Sequence, residues 1–235
     1  MSSKKHCEAA VINVENELEK YNLKLPSKCL TPISSGYRPE MDTTAELKAD
    51  GLQIYQELIG VLRWAVEIGR VDIILEVSLM SSHLALPREG HLDQVYHIFG
   101  YLKKRKKLRI LFDCGDPQIG ENRFKKYDWQ EFYRDAKEAI LSNTPEARGL
   151  IVSTSCFVDA DLAGDKSTRR SQTGILIFVN KAPIHWYSKR QPTVETSTFE
   201  VFLYIASLSP KIMAGPSSGT PNILTYTLMP LPFAQ

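Results

Sequence analysis

Charge of one sign is the first thing this sequence lacks. Its 29 basic and 27 acidic side chains leave a formal net charge of +2, so total charge steers the chain toward neither polyanions nor acidic surfaces. Cysteine is scarce too. The four residues, Cys7, Cys29, Cys114 and Cys156, are widely scattered with no CxxC pair. That argues against a disulfide frame or a zinc site and for reduced thiols in an intracellular protein. No apolar run approaches the ~20 residues needed to span a bilayer, and the N-terminal MSSKKHCEAAV has no signal-peptide core. The expectation is an intracellular chain, cytoplasmic or nuclear, with no membrane partner. No P-loop, G-x-G-x-x-G or G-x-S-x-G elbow occurs, which argues against phosphate-cradling glycine loops and serine hydrolysis. The five histidines show no metal spacing: His91 and His97 are six apart and fall on different helix faces.

What is present is enough apolar material for a core, 43% of 235 residues, in one large or two small domains. Cys7, Val11, Val14, Leu18 and Tyr21 alternate spacings of four and three, which predicts an N-terminal helix over 1–21. Residues 22–44, with three prolines and Ser34-Ser35-Gly36, read as a linker whose Asp42 or Thr43 caps the next helix. Stripes through Leu52, Tyr55, Leu58, Ile59, Leu62 and Val66, then Val71 to Leu84, then Leu92, Val95, Phe99 and Leu102 predict three helices. A short strand is expected at Ile110–Phe112, so the helical region is placed at 45–112. Residues 113–149 read as a loop followed by a helix from Tyr127 to Leu141. From 150 the texture turns to strands: Leu150–Val158, Gly174–Val179 and Ile184–Ser188, the last two joined closely enough for a hairpin. A helix restarts at Ser197 or Thr198, closing a partial domain at 150–206. The tail, 207–235, contains five prolines, two glycines and one charge, Lys211, and reads as poorly ordered.

Two kinds of residue point to chemistry. Asp159 ends a strand and Glu200 opens a helix, and carboxylates on separate elements suit a hard cation such as Mg²⁺. Surface solvation explains each acid as well, and Asp161 and Asp165, which flank a glycine, fit turn formation equally. The basic run Lys103, Lys104, Arg105, Lys106, Lys107 and Arg109 suits phosphate contacts, or simply a solvated helix end whose dipole it complements. Arg169, Arg170, Lys189 and Arg190, near Trp186 and Tyr187, form a second set compatible with nucleic acid or with a sheet's polar face.

Two long strings carry a family resemblance. YQELIGVLRWAVEIGRVDIILEVSLMSSHLALP (55–87) and HLDQVYHIFGYLKKRKK (91–107) resemble the region after the polymerase palm in Pol polyproteins of copia-type retrotransposons. FVDADLAGD (157–165) with TRRSQTGILIFVNKAPIHWYSKRQPTVETSTFE (168–200) resembles the start of their ribonuclease H domain. The resemblance implies an α+β fold: a helical thumb or connection-like region, then an incomplete RNase H-like mixed sheet with helix. It implies Mg²⁺-dependent cutting of the RNA strand of an RNA–DNA hybrid, with Asp159 as first catalytic acid and metal ligand and Glu200 as second. The expected partners are that hybrid, other nucleic acid and the remainder of the polyprotein. The match departs from the family in three places. STFEVFLYIA replaces the family's usual STFGSEFVA or STTEAEYIA, and Leu162 stands where relatives carry an aromatic or histidine. No acid follows Glu200 to serve as the third catalytic aspartate. The polymerase's paired aspartates belong upstream of everything present. The expectation is therefore a truncated, frame-shifted fragment, inactive alone. Three alternatives stand beside it: a residual hybrid-binding module, a helical protein-interaction domain, and an active Mg²⁺-dependent RNase H.

Overall fold

The computed structural model describes residues 3–115 and 154–197. Within them, helix α1 (Lys4–Glu19) follows from the four–three spacing: Cys7, Val11, Val14 and Leu18 make one buried stripe, joined by Ala10. Tyr21 does not share it. The helix ends first, and the ring lies beyond, 67% exposed. α2 (Ala49–Glu67) buries Tyr55, Ile59, Leu62, Ala65 and Val66. It starts at Ala49 with no side-chain cap, because Asp42 is used elsewhere. Asp42 Oδ1 accepts the Thr44 N–H at 2.8 Å, and Thr44 Oγ1 in turn accepts the N–H of Gly90 at 2.9 Å. The expected cap thus serves the start of α4 (Glu89–Lys104) rather than α2.

α2 ends in a Schellman motif. Gly69, at φ +110°, donates to the Val66 carbonyl and Arg70 donates to that of Ala65, both at 3.0 Å. The chain expected as one helix from Val71 divides into a 3₁₀ turn, Val71–Ile73, and α3 (Ile74–Ser81). Arg70 is buried beside this turn. Its guanidinium pairs bidentately with Asp72 at 2.8 and 2.7 Å and lies 6.0 Å from the Tyr101 ring centroid. Tyr55 Oη donates to the Met80 carbonyl at 2.8 Å and locks α3 onto α2.

Residues 22–44 lie against these helices, with Leu25 and Cys29 buried. Gly100 makes this possible: a Cβ there would stand 2.6 Å from the Pro26 carbonyl oxygen and 2.7 Å from Cys29 Sγ. At the N-terminus of α4, His91 Nδ1 accepts the Arg88 N–H at 3.0 Å, so Nε2–H donates to the Pro39 carbonyl at 2.9 Å. The strand expected at Ile110–Phe112 does not form; Leu111 and Phe112 are exposed coil without a pairing partner among the described residues.

The second part is a sheet of β1 (Thr154–Ala160), β2 (Gln172–Val179) and β3 (Ala182–Arg190), in that order and antiparallel throughout. The β2–β3 hairpin turns through Asn180 and Lys181, with Asn180 at φ +52°. A bulge between Ile177 and Phe178 shifts the register. Alternation buries Cys156, Val158, Ile175 and Ile177 together on one face. α3 packs against β3 on the other side. A helical region followed by a small open antiparallel sheet with a helix on it is an α+β architecture consistent with the RNase H-like fold. The four cysteines are free thiols, and no described helix is long and apolar enough to cross a membrane. The helix expected at 127–141, residues 150–153, Glu200 with its helix, and the 207–235 tail lie outside the described residues.

Candidate functional site

Strand alternation decides where the first acid points. Val158 goes into the sheet's buried cluster, so Asp159 turns to the opposite face, across from Gly174 on β2. There it is half-buried in a cleft of about 300 Å³. Val71, Ile74 and Leu75 of the helical region form one wall, and Leu176 and Trp186 belong to the other. No ion pair or hydrogen bond engages the Asp159 carboxylate among the described residues.

Asp161 and Asp165 hold the loop between β1 and β2. Asp161 Oδ1 accepts the Gln172 N–H at 2.5 Å. Asp165 Oδ1 accepts the N–H groups of Ser167 at 3.0 Å and Thr168 at 2.9 Å and the Ser167 hydroxyl at 2.8 Å. Arg190 binds the other Asp165 oxygen at 2.6 Å. Burial works to raise the Asp165 carboxyl, but the bonds from Thr168, Ser167 and Arg190 outweigh it and hold the group well below the usual carboxylate range. These two acids therefore serve the loop.

This bears directly on a metal. A hard divalent cation takes about six oxygen ligands. Among the described residues no group of three His, Cys, Asp or Glu side chains is placed to hold one. Asp159 shares its cleft with Asp161, but Asp161 is tied to the Gln172 N–H, Asp165 is committed to the loop, and Glu200 lies outside the described residues. The described donors do not fit Mg²⁺.

The basic residues divide into two places. Lys103, Lys104, Arg105, Lys106, Lys107 and Arg109 are all exposed at and beyond the end of α4. Two of them meet acids of α1, Lys103 with Glu15 at 2.5 Å and Lys106 with Glu8 at 3.8 Å. Surface pairs of this kind contribute roughly 0–1 kcal/mol each. In the second set Arg169 is exposed in the β1–β2 loop at φ +60°, away from the groove that its neighbour enters. Arg170, Lys189 and Arg190 line a groove of about 630 Å³ between α2–α3 and β3. Arg63, on the exposed side of α2, joins them there. Nothing in the sequence pairs Arg63 with β3, because a single charge in an apolar helical stretch reads as an ordinary exposed position. Two cross-links fix the groove's walls. Trp186 Nε1 donates to the Val66 carbonyl at 3.0 Å, and Gln172 Nε2 donates to Ser78 Oγ at 3.0 Å.

A helical region docked on an antiparallel sheet, with a lone acid on the strand facing it, is the class of molecule the geometry defines. No protein-family model matches the chain, and no solved structure matches it. Relatives do. The retrovirus-related Pol polyprotein from transposon TNT 1-94 of Nicotiana tabacum is 28% identical over 198 residues, covering 83% of this chain and 12% of that protein. The corresponding polyprotein from transposon RE1 of Arabidopsis thaliana is 25% identical over 183 residues, 78% of this chain and 10% of that protein. A putative transposon Ty5-1 protein of Saccharomyces cerevisiae is 27% identical over 119 residues, 51% of this chain and 35% of that protein. The chain is thus distantly homologous to Pol polyproteins of Ty/copia-type retrotransposons. It spans 12% and 10% of the length of the two plant relatives.

Proposed function

We propose that the chain corresponds to the stretch of a copia-type Pol polyprotein running from the helical region after the palm (45–112) into the front of the RNase H domain (150–206). It binds nucleic acid and does not cut it. The observation that carries this reading is the setting of Asp159. The residue lies near the end of β1, paired with Gly174 of β2, and the resemblance is what suggests it as a first catalytic acid. Yet it faces a narrow cleft walled by Val71, Ile74 and Leu75, with no second free acid beside it among the described residues. Two-metal phosphodiester cleavage needs two ions ~3.5–4 Å apart, held by several carboxylates, with the scissile phosphate between them. Asp159 beside an Asp161 already engaged by the Gln172 N–H, in a mostly apolar cleft, meets neither requirement.

The test is a labelled RNA–DNA hybrid incubated with the full chain in Mg²⁺ and in Mn²⁺. The expected outcome is salt-dependent binding without cleavage, unchanged by Asp159→Asn. Metal-dependent cutting that disappears in Asp159→Asn would establish a live nuclease and sink the proposal. Absence of binding to any nucleic acid at low salt would favour a protein-interaction domain instead.

A further inference from the structure

The groove between α2–α3 and β3 has features that the reading above does not use. Arg63, Arg170 and Lys189 reach it from a helix, a loop and a strand, and none has an acid partner among the described residues. Arg190 is different, being held by Asp165 at 2.6 Å. Among the described residues, the only carboxylate in the lining is Glu67. Of the four serines in the lining, Ser78 on one wall and Ser188 on the other share a single donor. The amide nitrogen of Gln172 donates to both, to Ser78 Oγ at 3.0 Å and to Ser188 Oγ at 2.9 Å. Each oxygen is therefore used as an acceptor, which leaves its own proton to donate outward. At the sheet end lies Gln191, 1% exposed. Its Nε2 donates to Thr173 Oγ1 at 2.9 Å, while its Oε1 is buried with no donor among the described residues. An unmet buried acceptor is costly, because it has given up water without gaining a partner. A ligand that brings N–H or O–H groups as well as negative charge satisfies both needs, whereas a simple anion does not. Trp186 and Tyr187 add aromatic surface to the same lining.

We propose that this seam is a track for single-stranded nucleic acid. Phosphates lie on Arg63, Arg170 and Lys189, the Ser78 and Ser188 hydroxyls donate to them, and unstacked bases meet the aromatic side chains. The inference rests on the nucleic-acid reading above and sharpens it by naming the strand state and the surface. The groove's size suits this: clefts of ~300–1,000 Å³ receive small ligands, and about 630 Å³ is on the scale of a few exposed nucleotides. The groove also adjoins the Asp159 cleft, sharing Ile74, Trp186, Tyr187 and Ser188 with it. A strand in the track runs toward that acid.

Fluorescence anisotropy on the full chain tests this with four probes: a labelled oligo-dT, an RNA of equal length, a blunt RNA–DNA hybrid, and heparin as competitor. Both single strands are expected to bind more tightly than the hybrid. Arg63→Gln/Lys189→Gln changes two exposed residues, and its fold is checked by circular dichroism. It should weaken single-strand binding about tenfold and flatten the log–log salt slope by about 1.4, about 0.7 for each phosphate no longer neutralised. Neutralising Lys104, Arg105 and Lys107 should leave that slope within about 0.7 of the parent's. Tighter binding of the hybrid overturns the track, as does unchanged affinity in the Arg63/Lys189 variant or heparin displacing oligo-dT equally well from parent and variant. Any of these leaves nucleic-acid binding itself standing. Failure of every probe to bind at low salt removes both readings.

Discussion

At the scale of the residue, Arg70 shows how much one side chain carries. It is buried, pairs bidentately with Asp72, and sits where α2 turns into α3 beneath the Tyr101 ring. Breaking a buried pair by removing one partner costs about 3–5 kcal/mol. Asp72 keeps 26% of its side chain exposed and reaches water, so Arg70→Ala should fall at the low end, about 3 kcal/mol, read as the shift in urea unfolding. His83 makes a second prediction. It lies 4.3 Å from the His91 ring, and burial, then His91 and Arg190, push its pKa down to about 4. Between pH 6.5 and about 4 the unfolded chain takes a proton that the folded chain refuses, so stability falls as pH drops through that window. His83 keeps some solvent contact, so the loss is about 1–2 kcal/mol. Unfolding free energies from urea titrations at pH 7 and 4.5 should converge by that amount in His83→Gln.

At the scale of the element, α4 illustrates a preference overruled by packing. Alanine is a better helix former than glycine by about 1 kcal/mol, so Gly100→Ala should stabilise an isolated helix. In the folded chain the added methyl strikes the Pro26 carbonyl and Cys29 Sγ at 2.6 and 2.7 Å. The Pro26 contact is backbone and cannot swing aside. Gly100→Ala is therefore expected to destabilise by about 1–3 kcal/mol, with faster amide exchange in residues 22–44 than in β2. The helical stripes were legible because they need only local spacing: Cys7, Val11, Val14 and Leu18 are buried as the spacing predicts. The split at Val71–Ile73 was not legible. It follows from the glycine stop at Gly69 and the pull of Arg70 toward Asp72, neither of which alters the apolar period. The misplaced cap has a similar origin. Asp42 looks like a helix start in sequence, but Thr44 passes its hydroxyl to Gly90, 46 residues along the chain.

At the scale of the whole molecule, the helical region and the sheet are joined by few but specific contacts. Trp186 reaches the Val66 carbonyl, Gln172 reaches Ser78, and the Lys166 N–H meets Glu40 Oε1 at 3.3 Å. Trp186 also packs against the helical core. Removing a large aromatic from a core costs about 3–5 kcal/mol, and less where it is part-exposed. Trp186→Ala is expected to uncouple the two parts, so that one urea transition by far-ultraviolet circular dichroism becomes two. A single unchanged transition would show that the seam does not couple them.

The chain's own order of residues determined the helical stripes, the β2–β3 hairpin, the free thiols and the placing of Asp159 on a strand, all of which depend on near neighbours. It also carried the likeness to Pol polyproteins, through strings that need no folding to be read. Only the tertiary structure decided what surrounds the acid: Val71, Ile74 and Leu75 across the cleft, and Asp161 and Asp165 spent on their loop. It alone brought Arg63 and Lys189 to one groove and left Gln191 Oε1 without a donor among the described residues. The physical reason is range. Periodicity records which side of an element is apolar, while the partner that side meets is settled by how whole elements pack.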